Sequence, residues 1–94
     1  MHDLLRHKRD EILRIASKHG ACNVRVFGSM ARDDAEPGSD IDLLVDALPV
    51  HSPCFPGGLL AELEELLGQK VDVVEAAGLH WYIRDRVLAE AVPL

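Results

Sequence analysis

The sequence predicts an α/β (α+β) fold in which a small mixed three-stranded sheet is packed with helices, and three observations point to it. Segments of helical period alternate with short β-branched runs along the whole chain. The 94 residues, 48% of them apolar, supply one core and not two. Glycine and proline clusters separate the segments. A single domain spanning residues 1–94 is therefore expected.

Residues 3–19 open with Asp3 as an N-cap and bring Leu5, Ile12, Ile15, Ala16 and His19 onto one stripe, with Gly20 as the stop. Asn23–Phe27 alternates and is rich in β-branched and aromatic residues, which predicts a first strand ending at Gly28-Ser29. Ser29 to about Ala35 favours a short helix, broken by the turn-forming cluster Glu36-Pro37-Gly38-Ser39. Asp40–Val45 is the second strand. Pro49, Pro53, Pro56, Gly57 and Gly58 make 48–58 a loop, and Leu59–Leu67 returns to helical spacing before Gly68. Lys70–Glu75 reads as the third strand, and a last helix runs from about Leu79 to Ala91 with Ile83, Val87, Leu88 and Ala91 on one side.

Charge and composition remove several classes of function. No stretch approaches the roughly 18 to 20 apolar residues of a membrane span. Asp3, Arg6, Lys8, Arg9, Asp10 and Glu11 occupy the place where a signal peptide needs an apolar core. The expected location is cytoplasmic, with no membrane partner. The formal charge of −6 repels a polyanion, so direct binding of nucleic acid is not expected. Cys22 and Cys54 have neither zinc spacing nor a C-x-x-C pair and read as reduced thiols. His2, His7, His19, His51 and His80 show no ligand spacing. Trp81 and Tyr82 read as packing or interface residues at the start of the last helix.

Chemistry concentrates between Gly28 and Asp72. Asp40 and Asp42 stand two apart in a strand, so the period of two sends both carboxylates to one face. Two neighbouring carboxylates repel each other and desolvate together, which a cation compensates, and oxygen donors suit Mg²⁺. Asp72 adds a third carboxylate from another strand, giving the set that a two-ion phosphoryl-transfer site requires. Glu75 is the rival for that place, but strand alternation puts it on the opposite face from Asp72. Upstream, Gly28-Ser29 stands where a strand gives way to a helix. Glycine lets the backbone approach closely, and the N–H groups of a helix start suit a phosphate. Ser29 adds a hydroxyl. Arg32, one turn further, reads either as a nucleotide-binding residue or as an exposed helix arginine. Each piece is common by chance, whereas Gly-Ser followed by Asp-x-Asp and a third strand aspartate is not.

These residues resemble the DNA polymerase β nucleotidyltransferase superfamily, whose signature is Gly-Ser, a short helix, Asp-x-Asp and a later strand aspartate. The closer likeness is to the minimal nucleotidyltransferase antitoxins, MntA-like proteins that act beside HEPN-domain toxins. It is carried by Val26–Arg32, Gly38–Val45, Lys70–Val74 and Ile83–Val92, which together cover most of the chain. The resemblance implies a minimal nucleotidyltransferase fold and transfer of AMP from ATP, with two Mg²⁺ ions, to a tyrosine of the cognate HEPN ribonuclease. It also implies roles: Gly28 and Ser29, with Arg32, for the nucleotide, and Asp40, Asp42 and Asp72 as catalytic metal ligands. The proline-bearing loop 48–58 departs from relatives that often carry a longer helical stretch there.

Two other functions fit parts of the pattern. An acidic protein can neutralise a basic toxin by binding alone. Larger members of the superfamily modify small molecules such as aminoglycosides, but with an added substrate-binding domain for which 94 residues leave no room.

Overall fold

Where the chain must bury its apolar stripes decides its architecture. The computed structural model describes residues 3–32, 40–50 and 55–94. Helices α1 (Asp3–His7) and α2 (Arg9–His19) lead into β1 (Ala21–Phe27) and a single turn α3 (Ser29–Arg32). Strand β2 (Ile41–Ala47), helix α4 (Gly57–Leu67) and strand β3 (Val71–Glu75) follow. A 3₁₀ turn over Ala76–Gly78, helix α5 (Trp81–Glu90) and strand β4 (Val92–Pro93) complete the order.

The predicted stripes form the core. Leu5, Ile12 and Ala16 from the helices meet Val24 and Val26 of β1, Ile41, Leu43 and Val45 of β2, and Leu59, Leu63 and Leu67 of α4. Leu59 and Leu63 are essentially inaccessible to solvent, and each contributes about 1.5–3 kcal/mol by leaving water. Gly20 and Gly68 terminate α2 and α4 in the left-handed conformation expected of them.

The three-strand expectation needs correction: among the described residues the sheet has four strands in the order β3-β2-β1-β4. Strand β1 runs antiparallel to both β2 and β4, while β2 and β3 are parallel. Strand β4 is two residues long and contains Pro93, which an edge position tolerates because only one side of the strand is paired. The Leu94 amide extends the pairing by donating to the Val24 carbonyl at 3.0 Å, and Arg9 Nε donates to the Leu94 carbonyl at 2.9 Å. So short a strand carries too little pattern to be recognised beforehand.

Smaller differences concern boundaries. The first helix bends at Lys8, yet Lys8 N bonds the Leu4 carbonyl and Ile12 N the Lys8 carbonyl, so helical bonding bridges the bend. Strand β2 begins at Ile41, immediately after Asp40, and α4 already begins at Gly57. The last helix is shorter than expected because Leu79 and His80 are extended and the helix starts only at Trp81. The break at 36–39 and Cys54 lie outside the described residues, and Cys22 is a free, exposed thiol. No helix among the described residues is long and apolar enough to cross a membrane.

Two connections join parallel strands of the sheet. The unit β2-α4-β3 steps outward to one edge, whereas β3-α5-β4 steps back across two strands. With the right-handed sense of such crossovers, α5 passes on the face opposite α4. Complete burial of Leu44, which alternates with the core residues Leu43 and Val45, fits that placement.

A polar clasp joins α2 to α4. Glu62 accepts a hydrogen bond from Lys18 Nζ at 2.6 Å and pairs with His19 Nε2. Gly58 makes room for the imidazole, since a Cβ there would stand 3.0 Å from His19 Cε1. The hydrogen bond from Lys18, then that from His19, holds the Glu62 carboxyl below its ordinary pKa of 4.5. A carboxylate with a lowered folded-state pKa stabilises the protein above its unfolded pKa and loses that contribution as pH falls through the folded value. The advantage of the wild type over Glu62→Gln in urea unfolding is therefore expected near neutrality and should vanish below pH 4.5. An advantage unchanged in acid would rule the clasp out.

Candidate active site

Pairing of β1, β2 and β3 brings the predicted site residues to one end of the sheet. Phe27, the last residue of β1, is in register with Asp42 of β2, and Asp42 is in register with Asp72 of β3. Residues in register on adjacent strands project to the same face, so both carboxylates lie on one side with strand axes about 4.8 Å apart. Asp42 is half-buried and Asp72 exposed. Glu75 is in register with Val45, a core residue, and so alternates to the other face. Strand parity thus separates Glu75 from Asp72 in the manner expected from the sequence.

Gly28 follows Phe27 with φ +72° and turns the chain from β1 into α3. Its carbonyl accepts the Ala31 amide at 3.1 Å, closing the turn. A Cβ at Gly28 would overlap the Asp42 carboxylate oxygen Oδ2, so the carboxylate rests in the space that glycine leaves. Ser29 begins α3 and is half-buried. Arg32 closes α3, but its side chain lies outside the described residues. Asp40 is exposed and directly precedes β2, where the Ile41 amide donates to the Lys70 carbonyl at 3.0 Å and starts the parallel ladder.

The structure thus brings Gly28, Asp42 and Asp72 together more closely than the rest. Among the described residues, no three His, Cys, Asp or Glu side chains are gathered tightly enough to enclose an ion. Mg²⁺ is commonly held by one or two carboxylates with substrate phosphates completing its shell. The two aligned carboxylates are hard oxygen donors, and the glycine cradle fixes one of them, so the residues fit that ion. A depression of about 370 Å³ lies elsewhere, at the far end of β3 between Pro56, Val73, Val74, Glu75 and Gly78.

Comparison with known proteins adds to this geometry. The nucleotidyltransferase domain family matches residues 9–94. The chain belongs to that family. Within it the chain stands among the minimal, MntA-like members, and it is a nucleotidyltransferase. A Methanocaldococcus jannaschii protein, provisionally named a protein adenylyltransferase, is 42% identical over 82 residues, covering 87% of this chain and 88% of its own length. The protein adenylyltransferase MntA of Thermococcus cleftensis is 36% identical over 89 residues, covering 95% of this chain and 86% of its own. A solved structure described as a provisional minimal nucleotidyltransferase superposes with a TM-score of 0.87 at 43% identity, over 98% of this chain and 94% of that one. A crystal structure of a toxin–antitoxin with AMP-PNP superposes with a TM-score of 0.73 at 22% identity, over 93% and 69% of the two chains, which speaks to the fold.

One polar group that the sequence does not single out lies further along the same two strands. Asn23, Arg25 and Asp46 are hydrogen-bonded to one another where β1 pairs with β2. Asn23 opens the strand expected from the sequence and gave no signal there; only the start of β1 at Ala21 sets this asparagine, a residue that strand interiors disfavour, inside the strand.

Proposed function

We propose that residues 1–94 act as one minimal nucleotidyltransferase domain that transfers AMP from ATP to a tyrosine of a HEPN-domain ribonuclease, and so serves as its antitoxin. The observation that carries this reading is the alignment of Asp42 with Asp72 beneath Gly28. It is supported by relatives named protein adenylyltransferases and by the fold shared with a toxin–antitoxin crystallised with AMP-PNP.

In this reading Gly28 and Ser29 hold the triphosphate, with Arg32 beside them on α3. Asp40, Asp42 and Asp72 hold two Mg²⁺ ions, which when bound neutralise charge on the transferring phosphate and lower the pKa of the acceptor hydroxyl. Asp42, fixed against Gly28, orients the nucleotide. Asp72 is more exposed than Asp42, and in this reading it serves the ion that activates the acceptor hydroxyl. The tyrosine oxygen bonds to the α-phosphorus, the bond from that phosphorus to the pyrophosphate oxygen breaks, and the phenolic proton is released to solvent. The acidic surface favours a basic partner and disfavours RNA itself, in keeping with a cytoplasmic protein acting on a protein.

The test is to incubate the protein with ATP, Mg²⁺ and a HEPN-domain ribonuclease from the same genome, then weigh both chains by mass spectrometry. The expected result is addition of AMP to a partner tyrosine, abolished by chelating the metal. Full neutralisation of the ribonuclease with no added mass would instead establish inhibition by binding alone.

A further inference from the structure

We infer that Asn23, Arg25 and Asp46 are positioning residues for the active site, forming a lock that holds an extra residue in β1 and thereby sets Gly28 over Asp42. The inference rests on the site assignment proposed above and adds a device that determines its geometry.

The register shows how the lock works. Ala21 faces Ala47 and Cys22 faces Asp46, but Arg25 then faces Leu44, so three steps along β1 match two along β2. One extra residue in a strand is a β-bulge, and it reverses which side chains face the core. The inward residues of β1 are accordingly Ala21, then Val24 and Val26, at spacings of three and then two. Carrying the Ala21 register forward without the extra residue would set Phe27 opposite Ile41, with its ring directed into the core. Gly28 would then lie opposite Asp40, and Val26 opposite Asp42. The observed pairing of Phe27 with Asp42 therefore requires the bulge.

Three contacts hold it. Asn23 has φ +51°, a left-handed conformation that asparagine tolerates better than almost any residue except glycine. Its Nδ2 donates to Asp46 Oδ2 at 2.9 Å, while its carbonyl accepts from Arg25 Nε at 2.9 Å. Arg25 Nη2 donates to Asp46 Oδ1 at 3.1 Å, so one carboxylate bonds to both sides of the bulge. The Arg25 side chain is only 13% exposed, which strengthens the pair relative to one in open water. Bulges are enriched beside active sites because they re-aim side chains, and this one re-aims the final three residues of β1.

The experiment compares two substitutions at one position. Asn23→Gly keeps the left-handed backbone, whereas Asn23→Val favours a regular strand. In Asn23→Gly, cross-strand nuclear Overhauser contacts between Phe27 and Asp42 are expected to persist, with affinity for AMP-PNP and Mg²⁺ within about twofold of the wild type, since the geometry is retained. In Asn23→Val those contacts are expected to be lost and affinity to fall at least about tenfold, as misplacement near 1 Å commonly costs more than that. Asp46→Ala leaves every core residue in place and serves if Asn23→Val does not fold; it is expected to weaken the same contacts and to lower affinity. Retention of the Phe27–Asp42 contacts in Asp46→Ala and in any folded Asn23→Val overturns the inference. Asp42→Asn, measured in parallel, separates the two claims: unchanged AMP-PNP binding there sinks the site assignment, while the register contacts still decide the lock.

Discussion

Replacing Asp42 with Asn is expected to reduce AMP transfer at least about a thousandfold while leaving the fold intact. The substitution changes one oxygen to nitrogen and removes one charge, so packing against Gly28 is retained. What it removes is an anionic oxygen aligned with Asp72, and a bound metal supplies several kcal/mol to phosphoryl transfer at about 1.4 kcal/mol per factor of ten. The thermal melt is expected to show a folded protein, so that the loss of transfer reports chemistry and not unfolding. Rates from pyrophosphate release, read beside thermal melts, check both. Transfer within tenfold of the wild type would remove Asp42 from the site.

The legible parts of the fold were those in which a periodic pattern is also an energetic necessity. Leu59, Leu63 and Leu67 recur at helical spacing because they must reach one core, and Val71 and Val73 alternate with Asp72 because a sheet has two faces. The placement of the proposed site residues was legible for the same reason. Asp42 and Asp72 alternate with core residues, so their direction follows from their neighbours. Strand β4 was not legible because two residues, one of them proline, have no period. It exists through pairing with Arg25 and Val26, partners nearly seventy positions away.

The bulge shows a different limit. Asn23–Phe27 alternates, and that pattern predicts a plain strand without saying that Ala21 and Val24 share a face. A register shift is a relation between two strands, settled by Asp46 reaching across to Asn23 and Arg25. The α2–α4 clasp is similar: His19 has no ligand spacing in the sequence and acquires its role only when Glu62 is folded against it. Local pattern fixes faces, whereas partners fix registers and polar pairs.

Gly28→Ala is the second substitution with a large expected effect, and a companion change isolates its cause. Gly28 and Gly68 both adopt the left-handed conformation, with φ +72° and +65°. An alanine at either position is strained by about 1–2 kcal/mol. Their surroundings differ. Nothing lies within 4 Å of a Cβ at Gly68, whereas a Cβ at Gly28 overlaps Asp42 Oδ2 and stands 3.3 Å from Asp42 Cγ. The backbone on one side and the β2 ladder on the other leave the carboxylate as the group that must move. A displacement of the order of 1 Å in a reacting assembly costs about a hundredfold. Gly28→Ala should thus lose about a hundredfold in transfer, whereas Gly68→Ala should lose similar stability in urea unfolding and retain its rate. Equal activity in the two variants would mean that the Gly28 cradle does not position Asp42.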